Sequence, residues 1–428
     1  MATLDDLRAG RLAGCRRLDL SCGLTEFPQE IYDLADSLEI LNLSGNALTS
    51  LPDDLPRLHR LRVIFCSDNP FTVLPEVLGR CPGLTMVGFK ANRIHTVPAA
   101  SLPPRLRWLI LTDNAVEQLP DELGTRPLQK LMLAGNRLER LPETLVGCPT
   151  LELFRISANR FATLPAWIFT LPRLAWFACA SNPALQRSGM GESVVPAIPW
   201  GALALQERLG EGASGIIHRA VWHRPDGPLP VAVKRFKGAM TSDGLPEDEM
   251  AASLEAGAHP GLIPVLGRAS GDPGEALVMP LIDPAFRILA GPPSLESCTR
   301  DVYPEGLSLS LATTLALARR VADTCRHLHA RGINHGDLYG HNLLWDGLGT
   351  ALVSDFGGAT RYGAGWDFES MEVRAFGILL EELLQRTVDP VSARLTALAG
   401  ECRGGIPAVR PRFVEVCRRL DDPGLIAP

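Results

Sequence analysis

The chain has 428 residues, of which 46% are hydrophobic and 21% charged, and its formal net charge is -6 at pH 7. That composition describes a folded globular protein of two or three domains, not a disordered one. Mild acidity gives no electrostatic reason to expect nucleic acid or an anionic membrane as partner, and no apolar run approaches the ~20 residues that cross a bilayer.

The N-terminus carries Asp5 and Asp6 where a secretory signal would be basic, and no apolar core follows. Ten scattered cysteines show no zinc-ligand spacing; Cys66 and Cys179 stand where neighbouring segments have Leu or Phe and read as buried thiols. A reducing cytoplasm is the expected location.

Residues 1–17 form a cap, since Thr3 ahead of Leu4, Asp5 and Asp6 predicts a short capped helix. From Leu18 the chain repeats. Leu38, Leu41, Leu43, Asn46, Leu48, Leu51 and Pro52 set a pattern that returns at 61–75, 84–98, 106–120, 128–142 and 151–165, and a last copy from Leu174 stops after Asn182. Asparagines fall at 46, 69, 92, 114, 136, 159 and 182, in steps of 22 or 23 residues.

This spacing is similar to that of leucine-rich repeats and predicts a solenoid, or horseshoe, over 18–187. Stacked leucines would share one core, and a ladder of asparagines would satisfy the backbone where each strand turns. Positions between the leucines face outward. One such column reads Ile40, Val63, Met86, Trp108, Lys130, Leu153 and Trp176; the next reads Asn42, Phe65, Gly88, Ile110, Met132, Arg155 and Ala178. So apolar a face predicts a site for a protein partner or for the second domain, with Trp108, Met132, Arg155 and Trp176 as anchors.

Residues 188–202, rich in Gly, Ser and Pro, read as a linker. Beyond it, Gly210, Gly212 and Gly215 lie between an apolar strand pattern at 203–209 and another at 216–222, so a hairpin could press backbone amides onto phosphate. Val231, Ala232, Val233 and Lys234 follow, then Glu249 in an acidic helix ten residues before His259. A buried strand runs from Ala276 to Ile282, and apolar residues at helical spacing span Leu311 to Ala330. Next come His335, Gly336, Asp337 and Asn342, then Asp355, Phe356 and Gly357.

In this order the motifs resemble those of the protein-kinase superfamily, and Ile198, Pro199 and Trp200 resemble the approach to the first strand in its tyrosine-kinase-like group. The resemblance implies a multidomain α/β chain: repeats, then a two-lobed α+β kinase-like fold over 203–421. It also implies ATP and magnesium as cofactors. Lys234, held by Glu249 (with Glu247 the rival and Glu255 too near the helix end), would meet the phosphates under Gly210, Gly212 and Gly215. Ile217 and Ala232 would line the nucleotide site, Met279 would be the gatekeeper, and the Leu281 backbone would meet adenine. Asp337 would orient the acceptor hydroxyl, Asn342 and Asp355 would bind the metal, and His335 would be a structural support. Glu372 stands where a helical Asp is usual, and Arg410, Pro411, Arg412 and Phe413 resemble the last conserved arginine region.

Three departures accompany the likeness. Tyr339 and His341 occupy the places where serine/threonine kinases have Lys and tyrosine kinases have Arg, so the cation that neutralises the transferring phosphoryl is missing. The segment from Asp355 to Glu372 is short, lacks an Ala-Pro-Glu motif and offers a limited choice of phosphosite, with Thr360 and Tyr362 within it. The lobe beyond the long helix is brief, and Gly336 replaces the usual Arg, as in aminoglycoside kinases. The favoured reading is an ATP-dependent kinase acting on protein Ser or Thr, its own chain included. A small-molecule phosphotransferase and a pseudokinase scaffold acting through its repeats are the alternatives.

Overall fold

The computed structural model describes residues 3–185, 195–212, 214–238 and 240–425. The chain divides into two compact units, one of Met1–Leu171 with Asn182–Ala184, the other of Pro172–Ser181 with Leu185–Pro428.

The first unit opens with α1 (Leu4–Arg8). The Thr3 hydroxyl accepts the Asp6 N–H at 3.1 Å and the Asp6 carboxylate accepts the Thr3 N–H at 3.1 Å, a reciprocal cap. Each repeat copy then contributes a three-residue strand: β1 (Arg17–Asp19), β2 (Ile40–Asn42), β3 (Val63–Phe65), β4 (Met86–Gly88), β5 (Trp108–Ile110), β6 (Lys130–Met132), β7 (Leu153–Arg155) and β8 (Trp176–Ala178). They form one parallel sheet in chain order. Its register is one repeat per strand, for example Leu41 beside Ile64 and Ile64 beside Val87.

The central residues Leu18, Leu41, Ile64, Val87, Leu109, Leu131 and Phe154 stack as a column, each at most 1% exposed. At roughly 1.5–3 kcal/mol per buried side chain, no single copy would bury enough to stand alone. Pro75, Pro98, Pro120, Pro142 and Pro165 each sit at the start of a short 3-10 turn on the opposite side.

The asparagine ladder is present. The Asn136 amide donates to Leu133 O of its own copy at 2.9 Å and to Leu111 O of the preceding copy at 2.8 Å, and its oxygen accepts the Val116 N–H at 3.0 Å. Asn159 repeats the pattern one step on. The residue before each asparagine has positive φ, including Asp68, Ala91, Asp113 and Ala158 where glycine would be free of strain.

The predicted outward anchors need correction. Met132 is 8%, Arg155 0% and Trp176 1% exposed, so these three offer no free surface to a separate partner; Trp176 instead packs on Leu338 and Tyr339, the second-domain alternative for that anchor. Trp108 stays half-buried; Lys130 lies over its ring at 4.3 Å and its Nε1 points to the Met132 sulfur at 3.4 Å. Parallel strands stand roughly 4.8 Å apart, so long side chains in one column cover each other.

The second unit begins its sheet with β9 (Leu203–Glu211), β10 (Gly215–Arg224) and β11 (Gly227–Phe236), and adds β12 (Gly267–Ala269) and β13 (Ala276–Pro280) in the antiparallel order β12-β13-β11-β10-β9. One face is packed with Ala220, Val231, Val233 and Val278 together with Leu203 and Ile198. Of the expected linker, residues 188–194 lie outside the described residues. Residues 197–200 belong to this sheet, since the Ile198 N–H donates to Arg268 O at 2.8 Å and Trp200 Nε1 to Gly274 O at 3.0 Å.

Helix α2 (Pro246–Ala256) crosses beside the sheet, and four more helices follow: α3 (Leu311–His329), α4 (Phe368–Leu384), α5 (Ala393–Cys402) and α6 (Phe413–Leu420). Helix α3 matches the span expected from periodicity. Ser310 caps it, and Leu315, Ala318, Ala322, Cys325 and Leu328 share its buried face. Among the described residues no helix is long and apolar enough to cross a membrane.

Candidate active site

A cavity of about 760 Å³ opens in the second unit, lined by the glycine hairpin, β11, α2, β13 and the loops that carry Asn342 and Asp355. In the hairpin, Gly212 N–H donates to Gly215 O at 2.9 Å. Gly215 must be glycine, because a Cβ there would meet Arg235 O at 2.5 Å. Gly210 and Gly212 have open space at that point, so their bareness widens the cavity mouth instead of relieving a clash. Ile217, Ala232, Met279 and Leu281 line the same cavity with Leu344 and Val353, an apolar slot.

Lys234 lies opposite Ile217 on β10 and Leu277 on β13, and its Nζ is ion-paired with Glu249 Oε1. Glu249 is buried, and burial pushes its carboxyl up while the Lys234 charge opposes that rise. Two residues earlier in the helix, Glu247 is exposed, and Glu255 pairs with Arg361 at 2.6 Å. Residues two apart on a helix point about 200° apart, so only one of 247 and 249 can reach β11.

Asn342 ends a one-turn 3-10 helix, Gly340–Asn342. Its amide nitrogen donates to Asp337 Oδ2 and to Asp337 O, both at 2.8 Å. The amide oxygen is thus the atom left for a ligand. Asn342 and Asp355 both line the cavity; Asp337 does not, and is joined to it through Asn342. Asp355 is exposed in a left-handed conformation with φ 58°, and its Oδ1 accepts the Gly357 N–H at 3.1 Å.

Behind these residues the loop is locked from several sides. His335 is fully buried and its Nε2 meets Ser354 O at 3.0 Å, the supporting role expected of it. Ser354 donates through N and Oγ to Asn342 O, each at 2.9 Å, tying the two acidic loops together. Glu372 accepts the Gly336 N–H at 2.8 Å and pairs with His329 at 2.7 Å. Burial would push that carboxyl up, but the bond and charge of His329 hold it below its ordinary value.

Residues 203–365 match the family model for protein tyrosine and serine/threonine kinases, and residues 37–58 match the leucine-rich repeat. The chain joins leucine-rich repeats to a protein-kinase-like domain. It is 32% identical over 170 residues to human non-receptor tyrosine-protein kinase TNK1, covering 37% of this chain and 23% of that one. It is 33% identical over 145 residues to the probable inactive serine/threonine-protein kinase roco10 of Dictyostelium discoideum, covering 34% and 5%. Mouse leucine-rich repeat serine/threonine-protein kinase 1 is 30% identical over 161 residues, covering 35% and 7%. The chain thus spans less than a quarter of the length of each of these relatives.

The kinase-like domain departs from pattern where sequence comparison expected it to. Tyr339 is buried, its ring stacked on Trp176 at 4.2 Å and 6°. His341 lines the cavity and meets Asp301 Oδ1 at 2.7 Å. Burial lowers its affinity for a proton, but the Asp301 bond and charge outweigh that and raise it. Thr360, expected as a phosphosite, is fully buried and its Oγ accepts the Cys179 N–H at 3.1 Å; the Tyr362 hydroxyl meets His329 Nδ1 at 2.7 Å. Sequence reasoning missed Asp301 and the place of Trp176, since neither lies in a motif.

Proposed function

We propose that the second unit is an ATP-dependent protein kinase acting on Ser or Thr hydroxyls. The supporting observation is that the Lys234–Glu249 pair, Asn342 and Asp355 face one cavity, with Asp337 bonded to Asn342. The donor set fits magnesium: a carboxylate and an amide oxygen are hard ligands, and the remaining positions suit phosphate and water.

Asn342 and Asp355 would hold the ion, which when bound neutralises charge on the phosphates. Lys234, fixed by Glu249, places one positive charge at the cavity wall for the nucleotide phosphates. The apolar slot of Ile217, Ala232 and Met279 excludes water from the base. Asp337 orients the acceptor hydroxyl and takes its proton, and the Asn342 amide keeps that carboxylate aimed.

Two of the three relatives above carry serine/threonine-protein kinase in their descriptions, one of them as probably inactive, and this favours Ser or Thr over Tyr. Leucine-rich repeats commonly bind proteins, and we assign a protein partner to the first unit, with Trp108 the one anchor of the predicted four that keeps exposure. Ten free thiols support a reducing location such as the cytoplasm.

A pseudokinase is the second reading, favoured by the lack of Lys or Arg between Asp337 and Asn342 and by a relative described as probably inactive. The test is radiolabelled ATP with a generic protein acceptor, followed by identification of the labelled amino acid. Label on Ser or Thr that disappears in Asp337→Ala and Asp355→Ala is the expected result. Label on a metabolite pool alone, or nucleotide-dependent melting without transfer, would reject the proposal.

A further inference from the structure

Residues 172–181 carry the last repeat copy, yet they pack within the second unit. Every few residues of this stretch is tied to a kinase-like element. Pro172 O accepts from Arg410 at 2.8 Å and Arg173 O from Arg374 Nε at 3.0 Å. Phe177 O accepts from the Asn334 amide at 3.0 Å, and the Phe177 ring lies 5.8 Å from Phe368 at the start of α4. The Cys179 N–H reaches Thr360, and the Ser181 hydroxyl donates to Asp248 at 2.6 Å.

Trp176 stands at the centre. Its Nε1 donates to Leu338 O at 2.9 Å, and its ring lies flat on Tyr339, with the Arg300 guanidinium 5.5 Å away. These are the two residues directly after Asp337. On the other side of Asp337, Gly336 has φ +71°, and a Cβ there would come 2.8 Å from Phe177 O and 2.3 Å from Gly358 O. Glycine at 336 therefore lets β8 press against the loop. Asp337 is the one residue from Ile333 to Gly340 that is not buried, so its neighbours on both sides are clamped while Asp337 keeps partial exposure.

We propose that Trp176 is a positioning residue for the catalytic loop, acting through the Leu338 carbonyl and the Tyr339 ring to set the direction of Asp337. Resting on the kinase reading above, the inference adds that β8 is a working part of the catalytic unit. Tyr339, where a cation is usual, serves as the platform for this clamp. Aromatic stacking together with a bond from an indole N–H to a buried carbonyl gives both attraction and a fixed angle.

The test uses the full chain with Trp176→Ala and Trp176→Phe, measuring kcat, KM for ATP, melting, and hydrogen exchange of amides 335–342. For Trp176→Ala we expect kcat to fall about tenfold to a hundredfold, with KM for ATP held within about twofold, as for a catalytic group displaced by an ångström or less. Exchange across the loop should quicken while the rest of the unit keeps its protection. Trp176→Phe keeps the stack and loses the donor, so it should fall between alanine and wild type on both readouts. Wild-type exchange in a folded Trp176→Ala chain would overturn the inference, as would wild-type exchange and kcat in Trp176→Phe should the alanine chain not fold. If the unaltered chain transfers no phosphate, the kinase reading fails, and loop exchange still decides whether Trp176 holds the loop.

Discussion

Separating Lys234 from Glu249 by mutation should be strongly asymmetric. Lys234 is 15% exposed and Glu249 only 3%, so the ammonium keeps a wet side toward the cavity and the carboxylate does not. Removing one partner of a fully buried pair costs about 3–5 kcal/mol, because the survivor is left uncompensated. In Glu249→Gln the survivor is the wetter lysine, and the amide oxygen can still accept its bond, so about 1–2 kcal/mol is expected. Lys234→Met strands the buried carboxylate and should approach the full figure at neutral pH.

The sign with pH follows from the carboxyl already pushed up by burial. Without Lys234 it rises further, and a raised folded value gives stability that is whole below the ordinary carboxylate range and lost as pH climbs through the folded one. Lys234→Met should therefore be closer to wild type at pH 5 than at pH 8. Urea unfolding of both single variants and the double variant at the two pH values measures this, with the double expected to cost less than the sum. Equal costs for the two single changes, or a cost in Lys234→Met that ignores pH, would refute the buried-pair account.

Other outcomes are equally specific. Asn136→Ala removes three hydrogen bonds, two of which join neighbouring repeat copies, and takes the acceptor from the buried Val116 N–H, while the Leu111 and Leu133 carbonyls keep the Asn114 and Asn159 amides. A loss of about 2–4 kcal/mol in urea unfolding of the first unit is expected, and less than half of one would speak against the ladder. Glu382, beside Tyr303, Asp301 and Arg386, is pushed up to about 7, first by burial and then by the Asp301 charge. Its folded value is raised, so its contribution is whole below about 4.5 and lost as pH rises through about 7. Glu382→Gln should accordingly gain on wild type by about 3 kcal/mol at pH 8 and show little advantage at pH 4.5; an equal offset at both refutes it. Asp355→Ala should remove the magnesium dependence of nucleotide-induced melting shifts, whereas Asp337→Ala should leave those shifts near wild type and remove transfer.

Much of the chain could be read from local pattern. The repeat period, the strands around Lys234 and the span of α3 follow from side-chain spacing that acts within one turn or one neighbouring strand. The count to His259 favours Glu249 but leaves Glu247 open as its rival, and only the direction each takes from the helix separates the two. Less legible were the roles of surface positions. Met132, Arg155 and Trp176 looked like an open apolar face because alternation says which side a residue faces, not what already lies on that side.

Sequence alone determined the two kinds of structure in this protein and the order of the groups that line its cavity. Tertiary structure decided where one unit ends, and that Trp176 sits on the residues after Asp337, a bond spanning 162 positions. It also decided that His341 leans on Asp301, 40 residues upstream, and that Glu372 steadies Gly336. Periodicity and motifs record forces between near neighbours in the chain. A stack or a bond across so many residues depends on how elements pack once formed, and such pairings leave no mark on local spacing.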